Sequence, residues 1–225
     1  MKKTDWDRYY SSPYRTAVFT RKITERILLG LIKKYSPVSC EKLRLGELGG
    51  ANSCFFEGVR EKIKPAQYHV IDNNQLGLDE FSKKLQNNVN DVFLYKDDIL
   101  AMSRELELDM VFSVGLIEHF TPADTRKAIK AHFNILKPGG IAIISFPTPT
   151  FLYRIIRFLS EGMGLWIFND ERPLSGEEVS DAVKDLGTIL YEKIIWPIFL
   201  TQKIMVIQNY SAPTAHKAKK QASAL

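Results

Sequence analysis

The chain has 225 residues, 45% of them hydrophobic, which suits one globular α/β domain with a sizeable core. Its 31 Lys+Arg against 26 Asp+Glu give a net charge of +5, partly concentrated in "AHKAKKQ" near the C-terminus, so charge argues little for nucleic acid. Two cysteines, Cys40 and Cys54, without CxxC spacing exclude a disulfide scaffold and a cysteine zinc site, and a reducing cytoplasm is the expected compartment.

The opening "MKKTDWDRYYSSPY" carries Trp6, Tyr9, Tyr10 and Tyr14 but no apolar run behind its charges, so no signal peptide is expected. No run of about 18 apolar residues follows anywhere. "RTAVFTRKITERILLGLIKKYS" places Phe19, Ile23, Ile27 and Leu31 four apart, the spacing of a helix with one buried stripe. Strands and helices then alternate. "KLRLGEL", "QYHVID", "DVFLY", "LDMVFSV" and "IAIISF" read as strands; "CFFEGVREKIK", "LGLDEFSKKLQ" and "PADTRKAIKAHFNIL" read as helices. "LDMVFSV" is almost continuously apolar, as a strand buried on both faces should be. This alternation implies βαβ units and a parallel sheet.

The last third changes character. "FLYRIIRFLSEGMGLW" reads as an amphipathic helix with Leu152, Ile155, Ile156, Leu159, Met163 and Trp166 on one side and Arg154, Arg157 and Glu161 on another. Three readings stay open for it: packing on the core or on a second subunit, a lid over an acceptor site, or contact with a membrane surface. "SGEEVSDAVKDLG" begins with a capping-box pattern, Ser175 to Glu178, and ends at Gly187. "TILYEKIIWPI" and "QKIMVIQN" read as two antiparallel strands. The Ala/Lys-rich tail from Ser211 reads as disordered.

The candidate site starts at "ELGGANS", Glu47 to Ser53, between a strand and a helix. Glycine there either makes a tight turn or lets a ligand approach the backbone. The next strand ends in Asp72, the third is followed by Asp97 and Asp98, and the fourth runs into "SVGLIEHF". All four places fall at carboxyl ends of parallel strands, where open α/β sheets bind ligands.

These residues resemble a class I S-adenosylmethionine-dependent methyltransferase. The family's E/D-x-G-x-G motif maps onto Glu47, Gly49 and Ala51, its second-strand acid onto Asp72, its G-D-a/i/l motif onto Asp97, Asp98 and Ile99, its post-fourth-strand segment onto "SVGLIEHF", and its turn before the fifth strand onto "LKPGG". The resemblance covers roughly residues 41–145 and implies a Rossmann-like, doubly wound seven-stranded sheet, mostly parallel with an antiparallel C-terminal strand and helices on both faces. It divides residues 1–210 into an N-terminal helical lid (1–40), a cofactor-binding core (41–145) and a helical insert (146–174), with 211–225 as a flexible tail. Ala51 replaces the second motif glycine and narrows the space beside the methionine part of the cofactor.

The resemblance implies S-adenosylmethionine as cofactor and S-adenosylhomocysteine as product. Gly49 and Gly50 would carry the amino-acid end, with Glu47 orienting the loop or meeting the ammonium. Asp72 would take the ribose hydroxyls and Asn73 would lie beside the adenine. Asp98 and the Ile99 amide would meet the adenine edge, and Ser113 completes the set. An NAD reading is weaker, because Asn52 stands where a third glycine belongs.

His119 follows the fourth strand, where the methyl group is presented, and is either a general base or a loop-ordering residue; Glu118 reads as structural. Tyr9, Tyr10, Tyr153 and Arg154 are the candidate lid or substrate residues. The segment "GLIEHF" offers too few acids for a metal, so none is expected. It is not the N/D-P-P-Y/F/W pattern of amine methylation on nucleobases, and neither cysteine falls near the acceptor. A hydroxyl on a small molecule or glycan fits best. The aromatic start and the insert are similar to bacterial methyltransferases that decorate surface polysaccharides or other glycans, so the expected acceptor is a small molecule or a glycan, free or lipid-linked. Rival readings are an RNA or protein methyltransferase and a non-catalytic binding protein of the same fold. Monomer and dimer both remain open, and peripheral contact with the inner face of a membrane stays among the readings.

Overall fold

The structure is a computed structural model that describes residues 3–11, 18–85, 90–196 and 200–210. Tyr14, the side chain of Phe19 and the tail from Ser211 lie outside the described residues. Helix α1 (Trp6–Ser11) and helix α2 (Val18–Tyr35) precede the sheet. The alternating region gives β1 (Arg44–Leu48), α3 (Phe56–Lys62), β2 (Gln67–Asp72), α4 (Gln75–Lys84), β3 (Val92–Lys96), β4 (Leu108–Val114), α5 (Pro122–Asn134) and β5 (Leu136–Pro147). The insert contributes α6 (Phe151–Gly162), followed by α7 (Gly176–Val183), β6 (Gly187–Ile195) and β7 (Gln202–Asn209).

The seven strands form one sheet in the order β3-β2-β1-β4-β5-β7-β6. The strands from β1 to β5 pair in parallel, and β7 runs antiparallel to both β5 and β6. The order reverses at β1, between β2 and β4, which is the switch point where ligands bind in such sheets. Helices cover both faces. Leu28 and Ile32 of α2, Val59 of α3 and Phe81 of α4 pack on one face. Ile129 and Phe133 of α5 and Val179 and Val183 of α7 pack on the other.

Four local expectations change. The buried face of α2 is Thr24, Leu28, Leu29, Leu31 and Ile32, while Ile23 and Ile27 pack half-buried at its edge, so the face is wider than the fourfold spacing and centred about one residue on. "LKPGG" lies inside β5. Leu136 pairs with Leu108 and Ile141 with Met110, so Lys137 to Gly140 bulge out with Gly139 at φ 78°, and Lys137 Nζ reaches Asp109 Oδ1 at 2.6 Å. On α6 the fully buried residue is Tyr153; of the expected stripe Leu152, Ile156 and Trp166 are half-buried and Ile155, Leu159 and Met163 are exposed, as are Phe151 and Phe158. Helix α7 also ends at Val183, and Gly187 opens β6. Its N-cap forms as expected: the Glu178 amide donates to Ser175 Oγ at 3.1 Å, while the Glu178 carboxylate pairs with Arg172 instead of closing the box.

Candidate active site

The acid–glycine loop is held by one buried carboxylate. Glu47 projects from β1, 4% exposed, and accepts hydrogen bonds from Ser53 Oγ at 2.9 Å and from the Tyr68 hydroxyl. Burial pushes its carboxyl up to about 7, against the pull of those two donors. Gly49 has φ 72°, a conformation that favours glycine. Gly50 is required for another reason: a Cβ there would lie 2.6 Å from Glu47 Cγ and 2.7 Å from Cδ. Ala51 is buried, and its methyl group is accommodated by Gly77 of α4, where an added Cβ would come within 2.6 Å of it.

Asp72 ends β2 and ties two loops together. Its Oδ2 accepts from the Ala51 amide at 2.9 Å and its Oδ1 from the Asn74 amide at 2.8 Å. Burial raises its pKa, and those amides oppose the rise. The Tyr10 hydroxyl also donates to Asp72 Oδ2, at 3.5 Å. Asn73 is exposed beside it. After β3, Asp98 is exposed and accepts from the Leu100 amide at 2.9 Å, Ile99 is half-buried, and Asp97 pairs with Arg104 rather than facing water alone.

Two candidate residues stand apart from this opening. Ser113 is fully buried, and its hydroxyl lies 2.8 Å from His132 Nε2 of α5. With His132 Nδ1 2.8 Å from the Ala128 carbonyl, the imidazole donates there and accepts from Ser113, so Ser113 braces the layer beneath the sheet. Tyr153 is also buried; its hydroxyl donates to Glu171 and receives Arg157 Nη1 at 3.1 Å. Tyr153 and Arg154 line a cleft of about 510 Å³ between α6 and residues 171–173, together with Arg157, Phe158, Glu171 and Arg172.

Helix α1 lies over the site. Asn74 Nδ2 donates to Asp7 at 2.7 Å and Asn52 Nδ2 donates to the Tyr10 carbonyl at 3.2 Å. Trp6 meets the His119 ring edge-on with centroids 4.9 Å apart, and Trp6 and Tyr9 both contact Phe168 of the insert. Thr4 donates through its amide and hydroxyl to Asp170. The other oxygen contact of Asp170 is His119 Nδ1, at 2.9 Å. The His119 side chain is 8% exposed, and burial holds its pKa below the usual histidine value although Asp170 pulls it up. A neutral ring that donates from Nδ1 keeps its lone pair on Nε2.

The sequence marked the loop, Asp72 and His119. It carried no local signal for Asp170 and Glu171, which the insert supplies from 51 residues or more downstream, or for Tyr68 and Ser53 as partners of Glu47. Counting acids in "GLIEHF" alone therefore undercounted those around His119. The loop also contains a buried acceptor without a partner among the described residues, Asn52 Oδ1. With the spare lone pairs of Asp72, already used by one hydroxyl, this donor-poor pocket fits a ligand that brings hydroxyl and amine donors, as S-adenosylmethionine does.

Residues 47–140 match the model of the methyltransferase domain family. No curated protein matches the sequence. Among solved structures, magnesium protoporphyrin IX methyltransferase from Synechocystis PCC 6803 with bound SAH is 14% identical, with TM-score 0.69 over 91% of this chain and 92% of that one. The N-methyltransferase NodS from Bradyrhizobium japonicum WM9, in complex with S-adenosyl-L-homocysteine, is 16% identical, with TM-score 0.65 over 90% and 95%. The 1,6-didemethyltoxoflavin-N1-methyltransferase of Burkholderia thailandensis is 12% identical, with TM-score 0.69 over 92% and 86%. Residues 47–140 thus match a methyltransferase domain, and the chain has the fold of these solved methyltransferases.

Proposed function

We propose that the chain methylates a hydroxyl group on a small molecule or glycan, with His119 as the residue that activates it. The observation that carries this reading is the His119–Asp170 pair, with the His119 ring packed against Trp6 of α1. Asp170 fixes the tautomer, and a pKa held below the ordinary histidine value keeps Nε2 unprotonated at neutral pH. When bound, the cofactor would supply an activated methyl group whose carbon a nucleophile attacks in line, with the thioether as leaving group. The protein's task is alignment and removal of one proton.

The other residues take supporting roles. Asp72 receives the ribose hydroxyls in place of Tyr10, with Asn73 at the adenine. Glu47 keeps the Gly49–Gly50 turn in shape through Ser53 and Tyr68. Asp98 and Ile99 border the adenine edge. Tyr9 and Tyr10 belong to an N-terminal lid (residues 1–40) that closes on the insert through Thr4 and Asp170. Arg154 and Tyr153 wall the cleft through which the acceptor approaches. Ser113 has a structural part here, through His132.

The test is transfer of a labelled methyl group to a panel of sugars, lipid-linked glycans, phenols and amines, with base-stable and base-labile product analysis to locate the methylated atom. Methylated hydroxyls that disappear in His119→Ala support the reading. Exclusive methylation of amines, or of RNA or protein in parallel assays, would overturn the acceptor class while leaving the methyltransferase itself in place. No helix of the described residues is long and apolar enough to cross a membrane, so a lipid-linked acceptor would be met at a surface.

A further inference from the structure

The insert builds a second chemical feature around His119. Glu118 and His119 end the 3-10 turn after β4, and Glu171 arrives from the segment between α6 and α7. One ligand atom from each of Glu118, His119 and Glu171 lies within 4.8 Å of the other two. Glu118 is 2% exposed and Glu171 8%. His119 Nε2 is 3.9 Å from Glu118 Oε1.

Each of the three is braced from behind. Asp170 holds His119 through Nδ1, which leaves Nε2 facing the two carboxylates. The Tyr153 hydroxyl donates to Glu171 Oε1. The Glu118 backbone is pinned by the Arg172 amide, which donates to its carbonyl at 3.0 Å. A carboxylate–imidazole brace of this kind orients histidine ligands in metal sites. Yet Glu118 Oε2 is buried without a hydrogen-bond partner among the described residues. A dry, unpaired carboxylate oxygen is costly to keep. Arg157 Nη1 lies 3.9 Å from Glu171 Oε1.

We propose that Glu118, Glu171 and His119 through Nε2 bind a first-row divalent cation such as Mn²⁺ or Zn²⁺. An imidazole ligand favours these ions over Mg²⁺ and Ca²⁺, which prefer all-oxygen shells. Metal–ligand bonds of about 2.0–2.2 Å require the three ligand atoms to draw together by about 1 Å, a movement within reach of side-chain rotation. Three protein ligands leave positions open for an acceptor oxygen.

The inference rests on methyl transfer to a hydroxyl and specifies how that hydroxyl is activated. On an open position of the cation, the acceptor hydroxyl acidifies and releases its proton to solvent. Its oxygen forms the bond to the methyl carbon, and the electron pair of the broken carbon–sulfur bond stays on sulfur. His119 then activates the acceptor through the ion it holds.

The experiment uses full-length protein freed of metal with a chelator and titrated with Mn²⁺, free Mn²⁺ being read by electron paramagnetic resonance. Quenching of Trp6, whose ring meets His119, gives a second readout. The wild type should bind one ion per chain. Glu118→Gln and Glu171→Gln should each bind at least tenfold more weakly, with unchanged affinity for S-adenosylmethionine as proof of folding. Should either variant unfold, Asp170→Asn, which keeps all three ligands but replaces the charged partner of His119 and Thr4 by an amide, should also weaken the ion by about tenfold. Absence of saturable Mn²⁺ or competing Zn²⁺ binding by the wild type overturns the proposal, as does wild-type affinity in the variants. Metal binding together with amine-only methylation would refute the hydroxyl reading and leave the cation site standing.

Discussion

Replacing Asp72 with Ala separates the two jobs this residue performs. The carboxylate accepts two backbone amides, from Ala51 at 2.9 Å and Asn74 at 2.8 Å. Hydrogen bonds to a charged group contribute about 1.5–3 kcal/mol each. Burial opposes them, since it raises the Asp72 pKa and its relief is recovered in the mutant. A net loss of about 2–4 kcal/mol follows, or about 5–15 °C in Tm for a chain of this size. Binding of S-adenosylmethionine should weaken at least tenfold, about 1.4 kcal/mol, because the ribose hydroxyls lose a charged acceptor. Titration calorimetry at a temperature well below melting reads affinity, and differential scanning calorimetry reads stability. Asp72→Asn should fall between, since its amide oxygen can serve only one of the two backbone donors. A destabilised mutant with wild-type affinity would reduce Asp72 to a turn residue, and an unchanged Tm would refute the tie between the loops.

Gly50→Ala should push the Glu47 carboxylate off Ser53 and Tyr68, costing about 1–3 kcal/mol and weakening the cofactor; a melting curve and affinity like wild type would show that the loop yields freely. His119→Ala should lower turnover about 100-fold with cofactor affinity near wild type, and a parallel loss of affinity would mean that His119 orders the loop. The buried His132 gives a pH dependence of stability. Its pKa is lowered by burial to about 4, against about 6.5 in the unfolded chain. Between these values the unfolded state takes the proton and the folded state does not. Stability is therefore complete above about 6.5 and declines as pH falls towards 4, by up to about 3 kcal/mol. His69, also lowered to about 4, acts in the same direction, so urea titrations across that range should show a shallower slope in His132→Gln than in wild type, and an identical slope in both would exclude His132 as a contributor.

How far the site could be read from sequence follows from which contacts are local. Strand and helix periods, the Gly49 turn and the acid at the end of β2 are written in neighbouring residues, whereas the seven-stranded sheet is expected only from the family resemblance. The orientation of α6 is different: both of its faces carry large apolar residues, and Tyr153 turns inward because Glu171 and Arg157 offer its hydroxyl partners. Ser113 and Val114 are adjacent on β4, but alternation sends Ser113 to the α5 side, where His132 awaits it. The acids around His119 come from two segments joined only in the fold. Nothing in the spacing of "GLIEHF" and "NDERPL" announces that meeting.

The central claim is that the loop from Glu47 to Ala51, with Asp72, forms the binding site of an S-adenosylmethionine-dependent methyltransferase. Titration calorimetry of the wild-type chain with S-adenosylmethionine and S-adenosylhomocysteine, alongside Asp72→Ala, tests it most directly. The account predicts saturable binding of both, one per chain at micromolar affinity, at least tenfold weaker in the variant. No heat of binding to a folded wild-type chain, or equal binding by the two proteins, would contradict it.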